Sequence, residues 1–158
     1  MSKQKITPFL WFDNQAEEAV TFYTSIFKNS TIETVVRYGE AGPGPKGSVM
    51  TMAFELDGQK FVALNGGPHF KFTEAISFVA DCESQQEVDE YWEKLSTGRD
   101  EQCGWLKDKY GLSWQIVPRV LVEMLRDKDA ARAQRVMKAM LQMKKIDIAR
   151  LEDAYHQR

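Results

Sequence analysis

Residues 103–118 read CGWLKDKYGLSWQIVP. Two apolar runs flank a charged turn, the pattern of a β-hairpin. Along the second run Leu112, Trp114 and Ile116 share one face, and Ser113, Gln115 and Val117 share the other. The first face suits a core, while the second carries a glutamine inside an otherwise apolar strand. Working backwards, the same hairpin order recurs. SVMTMAFEL (48–56) and QKFVALN (59–65) are joined by Asp57-Gly58, a two-residue turn signal. A strand and a helix precede each hairpin. The first strand is Ile6 to Phe12, and the first helix, Gln15 to Phe27, has Ala16, Ala19, Val20, Tyr23, Ile26 and Phe27 at helical spacing. Asp13 or Asn14 is available to cap it and Asn29-Ser30 to end it. TIETVVRY (31–38) reads as a further strand and 39–47, rich in glycine and proline, as a loop. The order restarts with AISFVA (75–80), capping residues at 81–84 and a helix over 85–95.

Shifted by 68 positions, Asp13 falls on Asp81, Val20 on Val88, Tyr23 on Tyr91 and Phe27 on Leu95. The shared order predicts a duplicated βαβββ unit, 6–65 and 75–118. The second copy is shorter, and its extra strand, due near Arg99 to Cys103, has no clear sequence signal. After Pro118 the character changes. Ala133, Val136, Met140 and Met143 lie on one helical face, and Ile146, Ile148, Leu151 and Tyr155 continue an apolar pattern. The fold class predicted is α+β, two βαβββ units plus a helical extension over 119–158, in one domain spanning 1–158.

The chain has 158 residues and a formal net charge of −2, which gives no electrostatic reason to seek nucleic acid. No apolar stretch is long enough to cross a bilayer, and the first residues do not read as a signal peptide. Cys82 and Cys103 lack CxxC spacing and make no disulfide framework, so a reduced, cytoplasmic protein is expected.

A sheet face with small and polar residues is a candidate ligand cavity. Ser77, Ser113, Gln115 and Thr7 belong to that face, and the aromatic residues Phe9, Trp11, Phe70, Phe72 and Trp105 are available to line it. His69, on the link between the halves, is positioned to reach a cavity mouth as ligand or general base; His156 reads as solvated. GPGPKGS (42–48) only mimics a phosphate loop, because its lysine precedes the second glycine and two prolines remove backbone donors. No GxSxG motif, and no glycine-rich strand-to-helix turn for S-adenosylmethionine, is present.

The four stretches ITPFLWFDNQAEEAVTFYTSIF, LNGGPHFKFTEAISF, CGWLKDKYGLSWQIVP and RVMKAMLQMKKIDIARLEDAY together resemble the PhnB-like branch of the vicinal oxygen chelate superfamily. That superfamily includes glyoxalase I, bleomycin-resistance proteins and extradiol dioxygenases. The branch often carries the name 3-demethylubiquinone-9 3-methyltransferase. The resemblance implies a curved sheet and cavity in each half and a homodimer. In metal-using members the chelating residues are two His and two Glu, and their positions fall here on Thr7, Ala75, Gln115 and Val62, with Asn65 a nearby alternative. None of these is His, Asp, Glu or Cys, and a glutamine oxygen is a poor ligand for a divalent transition metal. The expectation is therefore small-molecule binding without metal or other cofactor, with Thr7, Phe9, Trp11 and Asn65 of the first half at the ligand. His69, Ser77, Trp105 and Gln115 complete the set. Catalytic residues are not assigned. A metal-dependent glyoxalase or dioxygenase using unexpected ligands, and methyl transfer as in the branch name, are the alternatives.

Overall fold

The protein is described by a computed structural model covering residues 3–99 and 101–158. The chain divides into two compact units, Met1–Phe72 and Thr73–Arg158. In the first unit the elements follow the predicted order. They are β1 (Phe9–Phe12), α1 (Ala16–Ile26), β2 (Thr31–Arg37), β3 (Val49–Leu56) and β4 (Gln59–Asn65). They build a sheet in the order β1-β4-β3-β2, with β1 parallel to β4 and the other pairs antiparallel. Strict alternation decides what it buries. Leu10, Phe12, Met52, Phe54, Phe61 and Ala63 are buried with Ala19, Val20 and Tyr23 of α1. Phe54 and Phe61, partners in the ladder, stack with ring centroids 5.4 Å apart. The opposite face carries Phe9, Trp11, Val62 and Leu64, and Phe9 stays 58% exposed.

β1 is shorter than the sequence suggests. Pro8 has no N–H to give to a ladder, although its carbonyl still accepts from Val62 at 3.0 Å. Neither Asp13 nor Asn14 caps α1. Gln15 is the capping residue and makes no side-chain bond, and the Asn65 carboxamide oxygen instead accepts from Ala16 N–H at 2.8 Å. The glycines of the 39–47 loop have a steric reason. The Tyr38 ring lies where a Cβ on Gly44 would stand, 2.3 Å from its Cε2, and where one on Gly42 would, 2.5 Å from its Cδ1.

The second unit contains β5 (Ser77–Cys82), α2 (Gln85–Leu95), β6 (Trp105–Lys107), β7 (Ser113–Pro118), α3 (Arg119–Leu125), α4 (Ala130–Met140) and α5 (Ile148–His156). Its sheet order is β5-β7-β6, with β5 parallel to β7. As expected, α2 is capped locally, Ser84 Oγ accepting from Glu87 N–H at 3.1 Å. Where a fourth strand was expected, the described residues show only an isolated bridge between Gln102 and Trp105; Asp100 lies outside them. The reason is backbone geometry. Cys103 (φ 56°) and Gly104 (φ 83°) are both left-handed, and their N–H groups donate to Met143 O and Lys144 O at 2.8 Å each. The hydrogen bonds a strand would use are taken by the C-terminal extension.

That extension packs on its own unit. Leu121, Met124, Val136, Met143, Ile146 and Leu151 form one buried cluster. Gln85 on α2 donates to Ile146 O at 3.0 Å and accepts from Ile148 N–H at 2.8 Å. Beside it the Lys145 ammonium, 2.7 Å from Asp89, holds that carboxyl below its usual range. The methionine stripe is thus core: Met143 is buried and Met140 packs against the cluster.

Candidate ligand-binding site

Asp108 shapes the hairpin that opens the site. Residues 108–111 make a tight turn, with Gly111 N–H donating to Asp108 O at 2.9 Å and Gly111 at φ 86°. The Asp108 carboxylate is buried and accepts from Tyr110 N–H (2.8 Å), Leu112 N–H (3.1 Å) and Trp114 Nε1 (2.9 Å). The register then sets two rungs on the outer sheet face, Val79–Gln115–Trp105 and Ser77–Ser113–Lys107. The face opposite is core, with Ala80, Cys82, Leu106, Trp114 and Ile116 buried. The Cys82 thiol is pushed up to about 12, first by burial and then by the nearby Glu87 and Asp81 carboxylates, so it is no nucleophile at neutral pH.

On the outer face Gln115 Nε2 donates to Ser77 Oγ at 2.9 Å, so the two polar residues predicted for this cavity are coupled directly. Trp105 is 37% exposed and Val79 58%. Ser113 Oγ is buried and has no hydrogen-bond partner among the described residues. A hydroxyl left in that state costs roughly 1–3 kcal/mol. A cavity of about 700 Å³ opens at the β6 edge, lined in part by Trp105, Lys107, Ser113, Lys109 and Arg99. Its size is in the range of small-molecule sites. Ser77 and Gln115 lie off its lining, although they share rungs with Ser113, Lys107 and Trp105. The Lys107 ammonium pairs with Glu74 and holds that carboxyl below its ordinary range.

The residues predicted in the first unit divide. Asn65 and His69 line a cavity of about 630 Å³ with Asp13, Glu17, Arg37 and Tyr38, which none of Thr7, Phe9 and Trp11 lines. The Asn65 carboxamide is spent on structure, its oxygen on Ala16 N–H and its nitrogen on Val49 O at 3.1 Å. Thr7 precedes β1 and is exposed. Trp11 clamps the 66–70 loop, its Nε1 donating to Gly67 O at 2.9 Å and its ring meeting Phe70 edge-on at 4.9 Å. Phe9 shares its face but has no such role.

A divalent metal, which the resemblance suggests, does not fit the donor set. Among the described residues no group of three or more His, Cys, Asp or Glu side chains converges. Thr7 and Ala75 are exposed and precede their strands. The register also revises one position: Gln115 pairs with Val79 as Leu64 pairs with Trp11, so the first-unit counterpart of Gln115 is Leu64 and not Val62.

Sequence reading gave no role to Arg99, Lys107 or Lys109. Ser113 was visible in the alternation of 112–117. The charged trio depends on the 97–99 loop lying beside the β6 edge.

The family model described as 3-demethylubiquinone-9 3-methyltransferase matches residues 4–117. Among solved structures, a PhnB protein from Bacillus cereus bearing the same methyltransferase name is 41% identical, with 73% of this chain and 99% of that one covered and a TM-score of 0.65. A protein from Pseudomonas aeruginosa is 20% identical over 73% of this chain and 98% of its own, with a TM-score of 0.60. FosX, a fosfomycin resistance protein from Listeria monocytogenes, is 17% identical over 78% and 98%, with a TM-score of 0.51. The last two share the fold alone. No match was found among curated proteins. With the family model and the Bacillus cereus PhnB structure in agreement, the chain belongs to the 3-demethylubiquinone-9 3-methyltransferase family, which is PhnB-like.

Proposed function

We propose that the protein binds a small organic molecule, without a metal, on the outer sheet face of its second unit. One observation carries the reading. The strand position that resembles a metal-chelating glutamate holds Gln115, whose amide bonds Ser77 on a half-open face shared with Trp105 and Ser113. A carboxamide offers a neutral donor and acceptor, suited to orienting an uncharged polar group beside the Trp105 ring. Residues 1–158 work as one PhnB-like domain in this reading, in the cytoplasm.

Ligand-observed NMR of a fragment library against the full chain tests the site. Hits that bind the parent are expected to bind Gln115→Leu about tenfold more weakly. Equal binding of every hit by both proteins removes Gln115 from the site. Two further results redirect the reading. Retention of one divalent ion per chain after metal loading and desalting makes a metal-dependent enzyme primary. Saturable binding of S-adenosylmethionine makes methyl transfer primary.

A homodimer is the second element of the proposal. It is supported by the exposed apolar side chains Ile6, Phe9, Ile76 and Val79, which are 86%, 58%, 69% and 58% exposed. Sedimentation of the native chain is expected to give twice the 18.2 kDa chain mass; a single-chain mass at all concentrations ends this part of the reading.

A further inference from the structure

We infer that the cavity at the β6 edge selects ligands carrying an oxyanion, a carboxylate or a phosphoryl group, seated on the Ser113 hydroxyl among Arg99, Lys107 and Lys109. The inference rests on the reading that the second unit's sheet face binds a small molecule, and it adds the chemical class.

Two independent observations converge. The first is Ser113, 1% exposed, whose Oγ lacks any hydrogen-bond partner among the described residues although the residue lines the cavity. Its neighbours in the ladder are Ser77 and Lys107, and neither hydrogen-bonds its Oγ. A buried hydroxyl without an acceptor, in a residue that lines a cavity, calls for an acceptor. The second is charge. Among the described lining residues Arg99, Lys107 and Lys109 are cationic, against Glu74 and Asp108. Asp108 does not offset them as an accessible carboxylate, because it is buried and already accepts from three donors. Glu74 is engaged by Lys107 in an exposed pair of the kind an incoming anion exchanges at small cost. An oxyanion is a strong acceptor bearing negative charge, and so matches both the hydroxyl and the cationic side chains of the lining. The Trp105 ring, on the same lining, offers an apolar surface for the rest of the molecule.

The test uses the full chain labelled with 15N and three probes: benzoate, phenyl phosphate and neutral benzyl alcohol. Either anion is expected to shift the amides of Lys107, Gly111 and Ser113 saturably, and to bind about tenfold tighter than benzyl alcohol. Arg99→Gln with Lys107→Gln is expected to erase most of that preference while leaving benzyl alcohol binding in place. Ser113→Ala is expected to weaken the anion roughly fivefold. Because the hydroxyl has no internal partner, this variant keeps the fold, and its thermal midpoint checks that. If all three probes bind alike at these amides, the anion preference is overturned and the small-molecule reading stands. If none shifts them, the anion site is overturned, and the fragment screen with Gln115→Leu decides the small-molecule reading by itself. If anions shift only amides remote from β6, the assigned site is wrong.

Discussion

Asp108→Ala is expected to lower the stability of the second unit by on the order of 3–5 kcal/mol, because it strips the acceptor from Leu112 N–H and Trp114 Nε1, both buried, and from Tyr110 N–H. Each buried donor left alone costs roughly 1–3 kcal/mol, and the turn loses the side chain that closes it. For a chain of this size the thermal midpoint falls by roughly 10 °C. Asp108→Asn distinguishes the causes. It keeps one acceptor oxygen but turns an amide NH₂ toward a donor, so it is expected to lose part of the stability and not all of it. Urea unfolding followed by tryptophan fluorescence reads both variants. Stability of Asp108→Ala within about 1 kcal/mol of the parent means that the buried carboxylate is not what holds this hairpin.

Ile146→Ala is the second large effect, at about 2–5 kcal/mol, with Ile146→Val at about 0.5–1.5 kcal/mol. Ile146 is fully buried, and its Cγ1 lies 3.1 Å from where a Cβ on Gly104 would stand. Its carbonyl accepts from Gln85, which ties α2 to the extension. Truncating the side chain opens a cavity between the extension and the Cys103–Gly104 turn. Hydrogen exchange adds a local readout: the Cys103 and Gly104 amides, bonded to Met143 O and Lys144 O, are expected to exchange faster in Ile146→Ala. A variant as stable as the parent would falsify docking of this segment on the second unit.

Much of the architecture was legible because it is written in local periods. The 112–117 alternation separates Trp114 and Ile116, buried, from Gln115 on the open face. Ser84 caps the helix three residues ahead of its donor, a distance any reader of sequence scans. Asn65 caps α1 across 49 residues, and no local pattern carries that information. Counting from the turn glycines also misaligned the two last strands. The first hairpin closes at Leu56–Gln59, three rungs beyond the partner of Phe9, whereas the second closes at Lys107–Ser113, the rung of Ser77. Equal counts from Gly58 and Gly111 therefore reach different rungs. The cationic lining of the β6 cavity was hidden for the same reason as the Asn65 cap, since Arg99 and Lys109 approach only through the folded hairpin.

The bonds from Cys103 and Gly104 to Met143 and Lys144 also fix an order of events during synthesis. Every ladder of the first unit is closed once residue 65 has been made. The second unit waits for partners forty residues downstream, which do not yet exist when its hairpin has been made. While the ribosome is still translating α4, the left-handed turn at 103–104 and the floor beneath Gly104 stand uncovered, so the first half is folded while the second is still exposed to chaperones and proteases.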